Sequence, residues 1–278
     1  MEMFEGLPNI VKMALSQTIW LFLLAALFIP LERIFPLHRQ PTRRPQLLID
    51  LVYYYTTTLI PTVVLAFPLA VAASTARYFV PDGYYIWIMG LPIWLQIIFA
   101  FVVGDFGSYW AHRAMHEVPW LWRFHATHHD PVRMDWLINS RANPIDIIFT
   151  RMAGLTLMVV LGFGSVGSGS GSAIPLYALF AGAVWAFFIH SNIRWNLGWL
   201  GHVVSTPHFH HWHHSRDDHV NHNYAAILPV YDRLFGTFHA PKGVWPPSYG
   251  IAPENQPEVL IAARYEDAPA DKPAKDQA

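Results

Sequence analysis

Long runs without a single charged residue dominate the first two thirds of the chain. Met13–Leu31 is the first, with Glu32 and Arg33 just beyond it. Leu51–Ala76 is the second, and Gly83–Gly104 the third, closing at Asp105. A hydrocarbon core about 30 Å thick takes roughly 20 apolar residues of helix, so each run predicts a membrane span. Pro61 and Pro68 in the second can be tolerated as kinks within a helical bundle. A cleaved signal peptide is the rival reading of the first run. Its acidic start, MEMFEGLPNIVK, and the lack of a small-residue cleavage site favour a retained helix.

A further uncharged stretch covers Met152–Ile193, interrupted by GFGSVGSGSGS from Gly162 to Ser172. That glycine–serine run is too flexible for helix interior. It predicts two short spans, about 147–163 and 173–190, joined by a tight or mobile turn, or a re-entrant hairpin in one leaflet. Arg33, Arg39, Arg43 and Arg44 follow the first span, and Arg113, Arg123, Arg133, Arg141 and Arg151 follow the third. The positive-inside tendency therefore puts both segments on the cytoplasmic side, and the hairpin returns the chain to that side.

The pattern divides the chain into N-terminal spans and loops (1–104), a first polar region (105–146), the hairpin (147–190), a second polar region (191–240) and an extension (241–278). The tail after Glu266 reads as disordered. An all-α integral membrane protein of the inner or plasma membrane is the expectation.

Composition supports this reading. Of 278 residues, 53% are hydrophobic and 13% charged, against about 25% charged in soluble domains. A soluble helical protein does not account for three separate charge-free runs of spanning length. A net charge of −1 gives no basic field for nucleic acid, and the absence of cysteine removes thiolate chemistry and disulfides. Histidine is the outlier: 16 copies, all but His38 lying between His112 and His239.

Three clusters matter. HRAMH carries His112 and His116; HATHH carries His125, His128 and His129; HHWHH carries His210, His213 and His214. Residues three or four apart share a helix face, so each cluster can present its imidazoles together. Eight imidazoles divide naturally between two metal ions. Imidazole suits iron, zinc, copper and nickel, and binds when neutral. A zinc peptidase is excluded because the HE of His116–Glu117 meets Trp120 where HExxH needs its second histidine. Structural zinc takes four ligands and catalytic zinc three, fewer than are present. No Ser-His-Asp arrangement and no GxGxxG fingerprint is evident.

These motifs resemble the three histidine boxes of the fatty acid hydroxylase/sterol desaturase superfamily. NHNYAAILPVYDRLFGTF, Asn221 to Phe238, resembles the family's continuation; the likeness covers roughly Trp94 to His239. The resemblance implies about four transmembrane helices and a cytosolic helical cap holding a histidine-rich dimetal site. Two iron ions and O2 as co-substrate would hydroxylate or desaturate a C–H bond of a membrane lipid, fatty acyl chain or sterol-like molecule. A separate electron-transfer protein and reductase would supply electrons. The eight box histidines become ligands, and His190, at the end of the last predicted span, matches the family's additional histidine. The competing reading is a non-catalytic metal-binding membrane scaffold. Whether the chain forms homo-oligomers is open.

Around these nine, His208, His211, His219 and His222 are alternative ligands or partners of ligands, and Asn192 can complete a coordination shell. His38, His202 and His239 read as ordinary polar residues. Asp105, Asp130, Asp135, Asp217, Asp218 and Asp232 are candidates to orient a ligand imidazole. Asp105, two helical turns before His112, is preferred. Asp232 with Arg233 is expected to form an ion pair. Trp110, Trp120, Trp122, Trp136, Trp195, Trp199 and Trp212 are expected at the membrane interface or along an apolar cavity.

Overall fold

The computed structural model describes residues 6–41, 44, 46–163, 174–195 and 197–257. Within these the secondary structure is helical, apart from the isolated bridges Pro36–Ile193 and Ser215–Tyr249. The helices are α1 (Asn9–Ile34), α2 (Leu47–Phe79), α3 (Asp82–Gly90), α4 (Ile93–Glu117), α5 (Pro119–His129), α6 (Pro144–Val160), α7 (Ile174–His190), α8 (Pro207–His213) and α9 (Val230–Leu234). Among them α1, α2 and α4 are long and apolar enough to cross a membrane, and α7 is a shorter apolar helix. The chain is an all-α, multi-spanning membrane protein. Large side chains on its outer faces, such as Phe22 and Phe67, are about three-quarters exposed (70% and 77%), as a lipid-facing surface requires.

The third apolar run does not form one helix closing at Asp105. It breaks at Leu91, which is extended (φ −67°, ψ 147°) because Pro92 disfavours a helical predecessor. Helix α4 then starts at Ile93 and continues to Glu117, carrying His112 and His116 out of the apolar segment. Asp105 does not end it because its carboxylate accepts from the backbone N–H groups of Ile227 and Leu228 at 3.1 and 2.7 Å.

Helices α6 and α7, of 17 residues each, span about 26 Å at 1.5 Å per residue. The turn expected between them lies outside the described residues. Asn143 caps α6 by accepting from the N–H of Ile145, and Pro144 supplies its first residue.

Helices α4 and α6 meet through glycines. A Cβ at Gly107 would lie 2.7 Å from the carbonyl oxygen of Ala153. One at Gly154 would lie 2.7 Å from both the Gly104 carbonyl oxygen and Ser108 Oγ. Small residues allow this approach, and larger ones would force the helices apart. Gly154→Val is therefore expected to cost about 1–3 kcal/mol. Gly83→Ala, where a Cβ meets nothing within 4 Å, should change little. Thermal unfolding of the two variants in detergent checks this.

Where α2 leaves the membrane region it joins the polar cap through buried ions. Arg44 pairs with Asp50 (2.8 Å) and with Asp135, and the fully buried Arg141 reaches Asp50 (3.1 Å) and Asp130 (3.7 Å). Glu32 at the end of α1 accepts from the backbone N–H groups of Trp136 and Asn192. These contacts fix the cap against the ends of α1, α2 and α7.

Candidate metal centre

Four helices deliver the nine box and inter-box histidines. His112 and His116 lie on the last turns of α4, and His190 ends α7. After one extended residue, Val118, Pro119 opens α5 with His125, His128 and His129. Thr206 caps α8 by accepting from the N–H of Phe209, and α8 with its C-terminal residue supplies His210, His213 and His214.

The imidazoles gather into two groups, each with ligand nitrogens within 4.8 Å of one another. One holds His112, His116, His125, His129 and His213; the other holds His128, His190, His210 and His214. The boxes do not each present a single face, as the spacing alone suggested. A helix turns about 100° per residue, so an i,i+4 pair diverges by roughly 40° while adjacent residues diverge by 100°. His125 and His129 therefore stay together and His128 turns to the other group. On α8 the pair His210 and His214 stays together and His213 crosses back. Each HxxHH repeat gives two donors to one group and one to the other.

Hydrogen bonds at Nδ1 set the tautomers. The Nδ1–H of His112 donates to the Tyr224 carbonyl (2.7 Å), that of His128 to Arg141 (3.1 Å), that of His190 to Ala186 (2.6 Å) and that of His213 to His222 (2.8 Å). His116 donates to Asn221 Oδ1 at 3.3 Å and His125 to Asp146 Oδ2 at 2.8 Å. The Nε2 lone pairs are left facing inward. His112 and His125 Nε2 lie 2.9 Å apart, His128 and His190 Nε2 3.0 Å, and His190 and His210 Nε2 2.9 Å. Two bare lone pairs repel at that distance unless a cation lies between them. Adjacent nitrogens bound to one ion at about 2.1 Å stand roughly 3–3.4 Å apart. The buried Nε2 atoms of His116 and His213 have no hydrogen-bond partner. The residues therefore fit two metal ions.

Electrostatics agrees. Burial, reinforced by neighbouring imidazoles, holds His129, His210, His213 and His214 well below the usual histidine pKa and His128 at about 4. Neutral rings are the binding form. Burial alone would raise the pKa of Asp146, but His125 beside it brings it below the usual carboxylate value.

The expected helpers are placed differently. Asp105 does not touch His112; it holds the backbone at Ile227 and Leu228. Asp130 pairs with Arg141, Asp135 accepts from Leu137 N–H, and Asp217 accepts from Ser215 and His219. Asp232 accepts from the N–H groups of Tyr224 and Ala225, while Arg233 donates to the His202 carbonyl, so the expected ion pair is absent. His208 binds the Val244 carbonyl, and His211 spends both ring nitrogens on Tyr249 and the Ser191 carbonyl. His219 stacks on His239 at 3.9 Å. His222 enters through its carbonyl, not its ring. Asn192 exchanges hydrogen bonds with the His38 backbone, at 2.9 and 2.7 Å, outside both groups.

Asp146, Asn221, Tyr224 and Arg141 are the supports that sequence reasoning missed. Asn143–Pro144 announces a helix start and places Asp146 in its first turn; nothing local says that it faces His125. The NHNY segment, Asn221 to Tyr224, supports the ligands of the first box. Asn221 and the Tyr224 carbonyl hold His116 and His112. Asn223, left-handed at φ 60°, binds the Phe209 and His239 backbones.

A cavity of about 460 Å³ runs from the histidines into the apolar helices. His112, His125, His128, His190 and His210 line one end, and Phe101, Leu155, Met158 and Leu179 line the apolar part. Of the tryptophans, Trp20 lines it; the seven expected at the membrane interface or along such a cavity do not. Trp122 packs on His116 and His129 and Trp212 on His219 and His239, whereas Trp120 and Trp199 are exposed.

Comparison with known proteins agrees with this geometry. The chain is 37% identical over 187 residues to an ornithine lipid hydroxylase of Rhizobium tropici, covering 63% of this chain and 51% of that protein. It is 32% identical over 142 residues to human alkylglycerol monooxygenase, covering 51% of this chain and 30% of that protein. It is 28% identical over 211 residues to a very-long-chain aldehyde decarbonylase of Oryza sativa, covering 71% and 70%. The chain thus spans about half the length of the first of these and under a third of the second. No solved structure matches. Residues 97–237, half of the chain and every one of the nine clustered histidines, match the fatty acid hydroxylase family, and the chain belongs to that family.

Proposed function

We propose that this protein is an O2-dependent di-iron hydroxylase of a membrane lipid. The cavity carries the reading: its largely apolar wall continues to histidines of both groups. Bound iron would supply the one-electron chemistry by which O2 is activated toward an aliphatic C–H bond. The chain's own residues do the rest. Nine imidazoles, six of them oriented through an Nδ1 partner, would hold the two ions. Leu155, Met158 and Phe101 would align the hydrocarbon and exclude water, so that binding supplies proximity.

No residue is needed as a nucleophile. Electrons would come from a separate carrier protein and reductase, and the positive-inside pattern favours a cytoplasmic centre in the inner or plasma membrane. The names of two relatives, a hydroxylase and a monooxygenase, support hydroxylation over desaturation.

Lipid mass spectrometry of membranes with and without the protein, under labelled O2, tests this. A lipid gaining one labelled oxygen atom is expected. A lipid that loses two hydrogens without label would replace hydroxylation by desaturation. Bound metal with no altered lipid would favour the scaffold reading.

A further inference from the structure

One face of α6 forms a wall of the cavity. Asp146, Ile147, Thr150, Arg151, Gly154 and Met158 all line it. Asp146 marks the metal end through His125, and Met158, twelve residues on, lies about 18 Å further along the axis. Arg151 is five residues from Asp146, hence about 7.5 Å along that axis and in the metal half of the cavity.

Arg151 is half-buried on this wall, yet among the described residues it makes no ion pair or side-chain hydrogen bond. The two carboxylates that share the cavity are otherwise engaged: Asp146 with His125, and Asp105 with the Ile227 and Leu228 N–H groups. Arginine on the wall of an apolar cavity is ordinarily paired, because five N–H donors and a full charge are costly to leave without partners. Other cations of the chain show the rule: Arg44 and Arg141 are tied into carboxylates. Ser108 and Asn139, also on the cavity wall, likewise have no side-chain hydrogen-bond partner among the described residues.

We infer that Arg151 is the docking point for an anionic group of the substrate, a carboxylate or a phosphate, with Ser108 and Asn139 as additional polar contacts. The lipid then lies with its charged group in the metal half and its hydrocarbon toward Leu155 and Met158. Oxidation falls on a carbon near the polar end, not far down the chain. This deepens the proposed function and rests on the cavity being the substrate site.

Binding without turnover tests it. The purified protein in nanodiscs of uncharged lipid is titrated anaerobically, with no electron donor, against palmitate, phosphatidate and hexadecanol. Wild type should bind at least one anionic probe about tenfold more tightly than the alcohol, the size expected of a charge-assisted contact. Arg151→Gln should erase that preference, and Arg151→Lys should keep most of it. Preference for palmitate assigns the carboxylate, and preference for phosphatidate assigns the phosphate.

Metal content and melting temperature equal to wild type show that a variant is folded. If Arg151→Gln does not fold, the wild-type comparison with the alcohol still decides. Equal binding of all three probes, or discrimination retained by a folded Arg151→Gln, overturns the inference. Because no oxidation is measured, failure here is distinguishable from failure of the hydroxylase reading.

Discussion

His128→Ala should reduce O2-dependent lipid oxidation by more than the about 10–100-fold that partners outside a metal shell are usually worth. It should also halve the iron content, leaving membrane insertion intact. The group containing His128 has four donors and falls to three, whereas the group containing His213 has five and falls to four. His213→Ala should therefore keep more metal than His128→Ala while still losing most of the activity. Iron per chain after anaerobic loading, read beside turnover, checks both halves of this expectation. Full activity in either variant would remove that residue from the centre; equal metal loss in both would remove the division into unequal groups.

Asp146→Ala should cost about 10–100-fold in metal affinity or activity. The carboxylate fixes the His125 ring through Nδ1 at 2.8 Å and is almost wholly buried beside it. Alanine leaves a buried N–H without an acceptor and frees the ring to rotate. Asparagine keeps an oxygen for that N–H but removes the charge that makes the imidazole a stronger donor, so Asp146→Asn should fall between. Metal titration of the three proteins is the measurement, with activity at saturating iron as its companion. A merely structural role would give equal metal affinities once folded protein is compared.

The sequence spoke most clearly where the physics is local. The i,i+3 and i,i+4 spacings of the boxes follow from helix geometry, and charge-free runs announce α1, α2 and α4 through the demands of hydrocarbon. The break at Leu91–Pro92 was also local, and the proline marked it; the uncharged run on either side concealed it. What stayed hidden depends on contacts across the chain. Asp105 lies on the right helix to serve His112, but the Ile227–Leu228 backbone claims it. Asp146 lies beyond the second box, and only the packing of α5 against α6 brings it to His125. Arg151 is a positive-inside marker by sequence, and only the folded chain shows that it lines the cavity.

The unequal parentage of the two groups also sets an order of synthesis. Four of the five donors of the first group, His112, His116, His125 and His129, are made before residue 130, and only His213 comes late. The second group has His128 alone until His190 appears, and it is complete only with His214. A growing chain therefore gains an ion-holding nest early, while its companion waits until the last apolar helix and α8 have left the ribosome. Pulse-labelled chains arrested before residue 190 should retain at most one ion, so the paired centre arises only once His214 has been made.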